Sequence, residues 1–532
     1  MTPPLATSRC GLVGGVFMLL LVSQIILLPD VSNIALGGYD DLFQLALGLK
    51  TTHGAWPGLD FFTNYGPGVA VLSALSWSWP NPVLVETLTG ALLISIGLLA
   101  FWLAGRASDH PVQNTLLLAA LLFSAPAWPK YYYVLWPGLF LLTLGDTGAC
   151  RPPNAQRRRW LLLGIIIGLG GWFRLEIGLA LAAALAGALV VRWRSMPSGG
   201  PGPSALAAYA VAGALAPWLA YFGAAWIFRG RLEGPFDLLD FYVTSTLAKA
   251  NDFHSIDGVP RLSGFFGAES ISGCLGLVTG AGALSIVALC FPRRVAVIAA
   301  TPLARRAWCA AWLLLCLSPQ ALHRIDRYHT QHILGPGLVA AALGLACWLK
   351  SAESGVVTRF TTWRQPGAFA AFGLLAGLCA IIQFHIAPPL TKTIPRLRSL
   401  VGGLASLDPS LSDVALAAEL HARTADTDTI LIPSLDSRFY VLADRPFAGL
   451  FPHWSFQLPK RWTDRQLDAL RSDRPALVAY ADYYRGIAAN DFMRILDFKG
   501  RNPQLDAFVN ETYPDIVYQN PDWRILAPIR SP

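Results

Sequence analysis

Between residues 11 and 387 apolar residues gather in long runs separated by short polar stretches. A helix needs roughly 17 to 25 apolar residues to cross a hydrocarbon core. The pattern predicts eleven candidate spans, at 11–28, 83–105, 112–126, 131–147, 160–173, 177–192, 206–228, 271–291, 307–321, 333–349 and 367–387. Those at 112–126, 131–147, 160–173, 177–192 and 307–321 are short, and require a tilted partner, a thinner local bilayer or a re-drawn boundary. Residues 388–532 have another character. "SDVALAAELHART" at 412–424, with Ser412 as N-cap, "TDRQLDALRS" and "NPQLDAFVNET" carry helical spacing, whereas "DTILIPS", "PALVAYAD" and "DWRILAPI" read as strands. The predicted fold is a polytopic α-helical membrane protein: a transmembrane module over 1–387, with its first external loop at 29–82, then a small α/β domain over 388–532.

Composition agrees. Hydrophobic residues make up 54% of the 532 and charged residues 14%, and the mean hydropathy is +0.45. Those values exclude an ordinary soluble globular protein. The 18 Trp and 15 Tyr suit the belts where helices meet headgroups. With the N-terminus inside, the cytoplasmic segments, Arg192 at a span end included, hold 15 Lys and Arg in 74 residues and the opposite loops before the last span hold 9 in 114. That asymmetry supports the assigned sidedness and puts the C-terminal domain outside. Reading 1–28 as a cleaved signal peptide fits less well, because Arg9 stands alone and no small-residue cleavage site follows directly. The eight Cys all precede residue 388, nearly all in or beside apolar runs, with no disulfide framework or zinc spacing.

The chemistry is expected where polar residues interrupt the external side. The stretch "GGYDDLFQLALGLKTTHGAWPGLDFFTNYGPG" at 37–68 places Asp40, Asp41, Asp60 and Tyr65 among aromatics and glycines. One of Asp40 and Asp41 serves equally well as a helix cap; both together with Asp60 are better accounted for as functional. Lys130 precedes the fourth span. "WFRLEIG" sets Arg174 and Glu176 at a tight corner, the loop 229–270 is long and mixed in charge, and "HRIDRYHTQH" carries His323, Arg324, Asp326, Arg327, His329 and His332 in ten positions. His329, His332 and Asp326 have the spacing of one helical face and are candidate metal ligands. Arg324 and Arg327 beside imidazoles suit a bound phosphate better, because guanidinium recognises phosphate oxygens bidentately. In 388–532, Asp436, Arg438, Tyr440, His453 and Trp454 offer sugar-facing groups or, for Tyr440 and Trp454, core residues.

The acidic "YDD" after the first span, "DFFTNYGPG" closing the first external loop, the "RLE" corner, the "HRIDRYH" stretch and an external α/β domain, taken in that order and on that side, resemble the GT-C glycosyltransferases of the bacterial membrane. The similarity is to aminoarabinose transferases, protein mannosyltransferases and Rgt-type lipopolysaccharide sugar transferases, and it covers most of the chain.

The resemblance implies a GT-C fold and inverting transfer of a sugar from a polyprenyl-phosphate donor to a glycan, lipid or protein acceptor. The reaction belongs at the external, periplasmic face of the inner membrane, with no nucleic acid involved. It implies a catalytic base at Asp40 or Asp41, with Asp60 orienting base or acceptor. It assigns the donor phosphate to Arg324, Arg327 and His329, with Arg174 and Lys130 behind them. Asp-Asp stands here where many relatives have Asp-Glu, which leaves the choice of base open. Some members use a divalent metal cation and others none, so no cofactor is assigned. Two rivals remain from the residues alone: a glycan polymerase or ligase, with essential Arg and His in external loops, and a lipid-linked sugar transporter or flippase, which calls for repeats or broken helices. A membrane scaffold fits least.

Overall fold

The computed structural model describes residues 5–31, 42–106, 111–124, 130–145, 152–193, 202–231, 234–255, 302–323, 327–353, 390–433, 437–452, 459–481 and 503–529. Within them the apolar runs become helices: α1 Leu5–Leu27, α2 Phe43–Thr52, α3 Pro67–Ser76, α4 Pro82–Gly105, α5 Pro111–Ser124, α6 Tyr132–Leu144, α7 Pro153–Phe173, α8 Leu175–Trp193 and α9 Pro203–Arg229. Then follow α10 Gly234–Ser255, α11 Pro302–His323, α12 Arg327–Glu353, α13 Thr393–Gly402, α14 Ser412–Ala422, α15 Arg438–Leu442, α16 Lys460–Ser472 and α17 Pro503–Thr512. Two of them, α4 with 24 residues and α9 with 27, are long and apolar enough to cross a membrane by length and composition. The expected spans at 271–291 and 367–387 lie outside the described residues.

By packing, the chain forms two compact units, one of residues 1–28, 88–220 and 260–393, the other of 29–87, 221–259 and 394–532. The unit boundary nearest the composition change at 387/388 falls at 393/394 and is one of several.

The first unit is helical. Its crossings depend on small residues that let backbones approach. A Cβ on Gly164 would sit 2.0 Å from the Ala210 carbonyl oxygen, one on Gly168 2.3 Å from that of Ala214, and one on Gly213 2.2 Å from that of Leu161, so α7 and α9 touch main chain to main chain. Gln113 of α5 is buried and donates to the Gly105 and Ala342 carbonyls at 3.2 and 2.8 Å, tying α4 to α12. Outward positions are apolar, with Leu162, Leu179 and Val211 all exposed. Helices apolar on their outward as well as their inward faces suit lipid surroundings.

The second unit is built on a four-stranded sheet of β1 Ile430–Leu431, β2 Leu477–Ala481, β3 Asp515–Gln519 and β4 Trp523–Ala527, in the order β1-β2-β4-β3. β1 and β2 are parallel, and β4 is antiparallel to both its neighbours. Leu431, Val478 and Leu526 pack there against Leu467 and Leu470 of α16 and Leu505, Phe508 and Val509 of α17. The expected helices and strands of this region all form, while Ser412 is the first residue of α14 and not its cap: Leu411 holds that position with no side-chain bond. Tyr440 is wholly buried and hydrogen-bonded to Ile432, a core residue. Arg438 is buried in an ion pair with Asp413. Asp436, His453 and Trp454 lie outside the described residues.

Candidate functional site

The first external loop is folded by its own polar groups. After α2 the chain reverses through Gly54 and Gly58, whose φ of +87° and +77° only glycine adopts readily. Between them the Trp56 amide donates to Asp60 Oδ2 at 2.8 Å, and the Leu59 and Asp60 amides donate back to the Trp56 carbonyl at 3.1 and 2.9 Å. Arg231 completes the turn by pairing with Asp60 Oδ1 at 3.1 Å. Both carboxylate oxygens of Asp60 are therefore engaged in holding the loop.

The floor beneath this turn is the last part of α9. Tyr221 donates its hydroxyl to the Pro57 carbonyl at 2.8 Å, and the Trp56 ring lies 5.6 Å from Tyr221 and 6.5 Å from Phe228. Arg229 donates to the Gly54 carbonyl. An acidic turn thus rests on the end of a helix long enough to cross a bilayer.

Its other side is held by the C-terminal sheet region. The Phe62 amide donates to the Leu450 carbonyl at 2.8 Å, and the Phe62 ring lies 5.0 Å from Trp462 and 5.7 Å from Phe241. Lys50 of α2, buried to 8% exposure, donates to the Phe447 carbonyl at 2.7 Å and lies 5.2 Å from the centre of that ring. Burial pushes its ammonium below the ordinary lysine value, and the charges of Asp473 and Asp60 work in the opposite direction. Tyr65 is buried with its ring 5.1 Å from Phe43.

In the helical unit the tight corner is real. Arg174 is the one non-helical residue between α7 and α8, with φ −151° and ψ 117°. Its Nε donates to Glu176 Oε1 at 2.5 Å, and the Tyr133 hydroxyl donates to the same oxygen at 2.8 Å. The guanidinium stands 5.9 Å from the Tyr133 ring centre. Arg174 and Glu176 are 11% and 20% exposed, so each charge is matched at close range in a nearly buried place. Lys130, half-buried, accepts the Tyr133 amide at its carbonyl at 3.1 Å, on the same turn of chain.

Asp40, Asp41, Arg324 and Asp326 lie outside the described residues. His323 is the last residue of α11, while Arg327, His329 and His332 fall in the first two turns of α12; their side chains are likewise outside the description. The candidate metal set Asp326, His329 and His332 belongs to this group, and no cluster of three metal-ligating side chains occurs among the described residues.

Three features escaped the sequence reading. The loop 229–270 contains α10, whose Asp237 and Asp240 pair with Arg465 and Arg461 of α16. Lys50 gave no signal beyond its charge. Glu86, buried at the start of α4, accepts hydroxyl bonds from Ser73 and Ser76 of α3, each at 2.8 Å. The one available hint was a lone carboxylate inside an apolar run.

No family model matches the chain, and no curated protein matches it. Among solved structures it is similar to ArnT from Cupriavidus metallidurans in the apo state, at 14% identity and a TM-score of 0.47 over 98% of each chain. It is similar to the same protein bound to undecaprenyl phosphate, at 14% identity and 0.48 over 99% of each chain. A third likeness is to the Archaeoglobus fulgidus oligosaccharyltransferase in complex with Zn and sulfate, at 12% identity and 0.41 over 87% of this chain and 68% of that one. These neighbours are glycosyltransferases of the GT-C fold, the class that the sequence motifs resemble.

Proposed function

We propose that this chain is an integral membrane glycosyltransferase that moves a sugar, with inversion, from a polyprenyl-phosphate carrier to a hydroxyl of a glycan, lipid or protein acceptor at the periplasmic face of the bacterial inner membrane. The observation that carries the reading is the seating of the acidic first loop on the end of α9, through Tyr221, Phe228 and Arg229. In this reading α9 crosses the bilayer, which sets the loop at headgroup depth, where the phosphate of a lipid-linked donor sits and arrives laterally.

With both oxygens of Asp60 spent on Trp56 and Arg231, Asp60 shapes the loop, and the base falls to Asp40 or Asp41, just ahead of α2. The carboxylate takes the proton of the acceptor hydroxyl as its oxygen bonds to the anomeric carbon. The bond from that carbon to the phosphate oxygen breaks, and its electron pair leaves with the polyprenyl phosphate. Arg324, Arg327 and His329 stabilise the charge gathering there, a role suited to preorganised cations in a site poor in water. Arg174, neutralised by Glu176, keeps the α7–α8 corner in shape, and Lys130 lies next to Tyr131–Tyr133 at the start of α6.

The test is transfer of labelled sugar from polyprenyl-phosphate donors by purified protein in lipid, comparing wild type with Asp40→Asn, Asp41→Asn, the double variant and Arg324→Ala. Loss of the base lowers turnover by roughly 10² to 10⁴. Undiminished transfer in the double variant would overturn the proposal, and donor movement between leaflets with no transfer would make the chain a carrier.

A further inference from the structure

At one end of the helical unit the C-termini of α4 and α6 meet the N-termini of α7 and α11. Arg306, in the second turn of α11, donates Nη2 to the Arg106 carbonyl just past α4, at 2.6 Å. Its Cγ and Cδ lie 3.6 Å from where a Cβ on Gly145, just past α6, would stand. Arg159 of α7 reaches the Thr143 carbonyl in the last turn of α6, and the Arg106 guanidinium is held 5.4 Å over the Trp102 ring. Three guanidinium groups are thus gathered by carbonyls and one ring.

Cations at helix N-termini oppose the macrodipole, which favours acids there, and neither α7 nor α11 has an acid in its first turn. The carbonyls at the C-termini of α4 and α6 offer only partial charge. Arg306 Nε is buried and meets no acceptor, and neither Arg106 nor Arg306 forms an ion pair among the described residues. Across 106–110, 145–159 and 302–306 the sequence holds seven Arg, against Asp109 and Asp146, which lie outside the described residues. By sequence these three segments carry a net positive charge.

We propose that this basic rim, centred on Arg106, Arg159 and Arg306, binds the phosphate of an anionic phospholipid headgroup. A phosphodiester supplies Arg106 and Arg306 with a full negative charge and takes guanidinium N–H groups in pairs, and basic pockets between membrane helices are known to hold such headgroups. The rim is on the side that the distribution of Lys and Arg assigns to the cytoplasm. The inference requires that the chain sit in a bilayer, and it does not depend on the transferase reading.

The experiment is native mass spectrometry of the full chain in neutral detergent, titrated with phosphatidylglycerol or phosphatidylcholine, without and with millimolar inorganic phosphate. Each Arg near a charged headgroup contributes a factor of about five in affinity, so Arg106→Gln with Arg306→Gln weakens phosphatidylglycerol retention about thirtyfold and leaves phosphatidylcholine unchanged. The Arg106→Lys, Arg306→Lys variant keeps the charge and regains most of the retention, which separates lost binding from lost folding. Equal retention of the two lipids by wild type, or full retention by the Gln variant, overturns the proposal. Displacement of the lipid by inorganic phosphate assigns the rim to a free anion and overturns the lipid as its occupant.

Discussion

Asp60 illustrates how far a residue type can be read without its neighbours. A carboxylate among glycines and aromatics has the same appearance whether it takes a proton or folds a turn, and only the bonds from the Trp56 amide and Arg231 distinguish the two. Asp60→Asn keeps an acceptor for the Trp56 amide and gives up the charge on Arg231. An exposed pair of this kind is worth about 1 kcal/mol or less, so we expect initial rates of sugar transfer to fall by less than about tenfold; a loss of 10² or more would make Asp60 the base. Lys50 was illegible because its hydrogen-bond acceptor, the Phe447 carbonyl, is 397 positions away. Its consequence is measurable. Burial lowers its pKa from 10.5, so between the lowered value and 10.5 the unfolded chain binds more protons than the folded one, and stability rises with pH across that window. Below it both states carry the charge and the burial penalty is present in full. Lys50→Met has no such penalty, so the Tm of wild type minus that of Lys50→Met increases as pH is raised toward 10.5. A difference independent of pH would show that folding leaves the Lys50 pKa where it is in the unfolded chain.

Helices were legible wherever periodicity had one cause. The runs at 83–105 and 206–228 became α4 and α9 almost residue for residue, because apolarity all round requires burial or lipid whatever the partners. α10 was hidden because two surroundings share it: Asp237 and Asp240 face α16 while Phe236, Leu239 and Val243 remain exposed, an inversion of the usual amphipathic pattern that reads as loop. β3 was missed for a related reason, its five residues being half-buried or exposed with no apolar alternation. What periodicity cannot convey is how close two helices come. In α7 the Gly164 and Gly168 positions meet the main chain of α9 at Ala210 and Ala214, a contact that rests on the missing side chains. Gly168→Leu forces α7 from α9, with overpacking that costs about 1–3 kcal/mol. Melting in detergent should fall by several degrees, whereas Leu162→Ala, at an exposed position of the same helix, leaves it nearly unchanged. Equal melting of Gly168→Leu and wild type would mean that the crossing is looser than the backbone contact requires.

The change of composition at 388 is a boundary of chemistry, between strongly apolar and mixed-composition chain, and packing follows other lines. Residues 394–532 share a unit with 29–87 and 221–259, and the reason lies around Trp462. That ring is fully buried, 5.0 Å from Phe62 of the first loop and 5.2 Å from Phe241 of α10, while Phe451 stacks on Phe241 at 4.9 Å. Phe447 meets Phe61 edge-on at 5.4 Å and supplies the carbonyl that Lys50 requires. Composition sees aromatic residues in three distant segments; only the fold brings them into one cluster. Exposing a side chain of this size costs about 2 kcal/mol, and Phe447, Phe451 and Trp462 together match or exceed the 5 kcal/mol or so that is the whole stability of many domains. Residues 394–532 expressed alone should therefore keep their sheet only loosely, bind a hydrophobic dye and melt without a cooperative near-ultraviolet transition. The sheet core of Leu431, Val478 and Leu526 remains in that fragment, so secondary structure should survive while fixed aromatic packing is lost. A sharp melt with no dye binding would mean that the sheet stabilises itself, and the first loop would then be a guest on a finished domain and not a part of it.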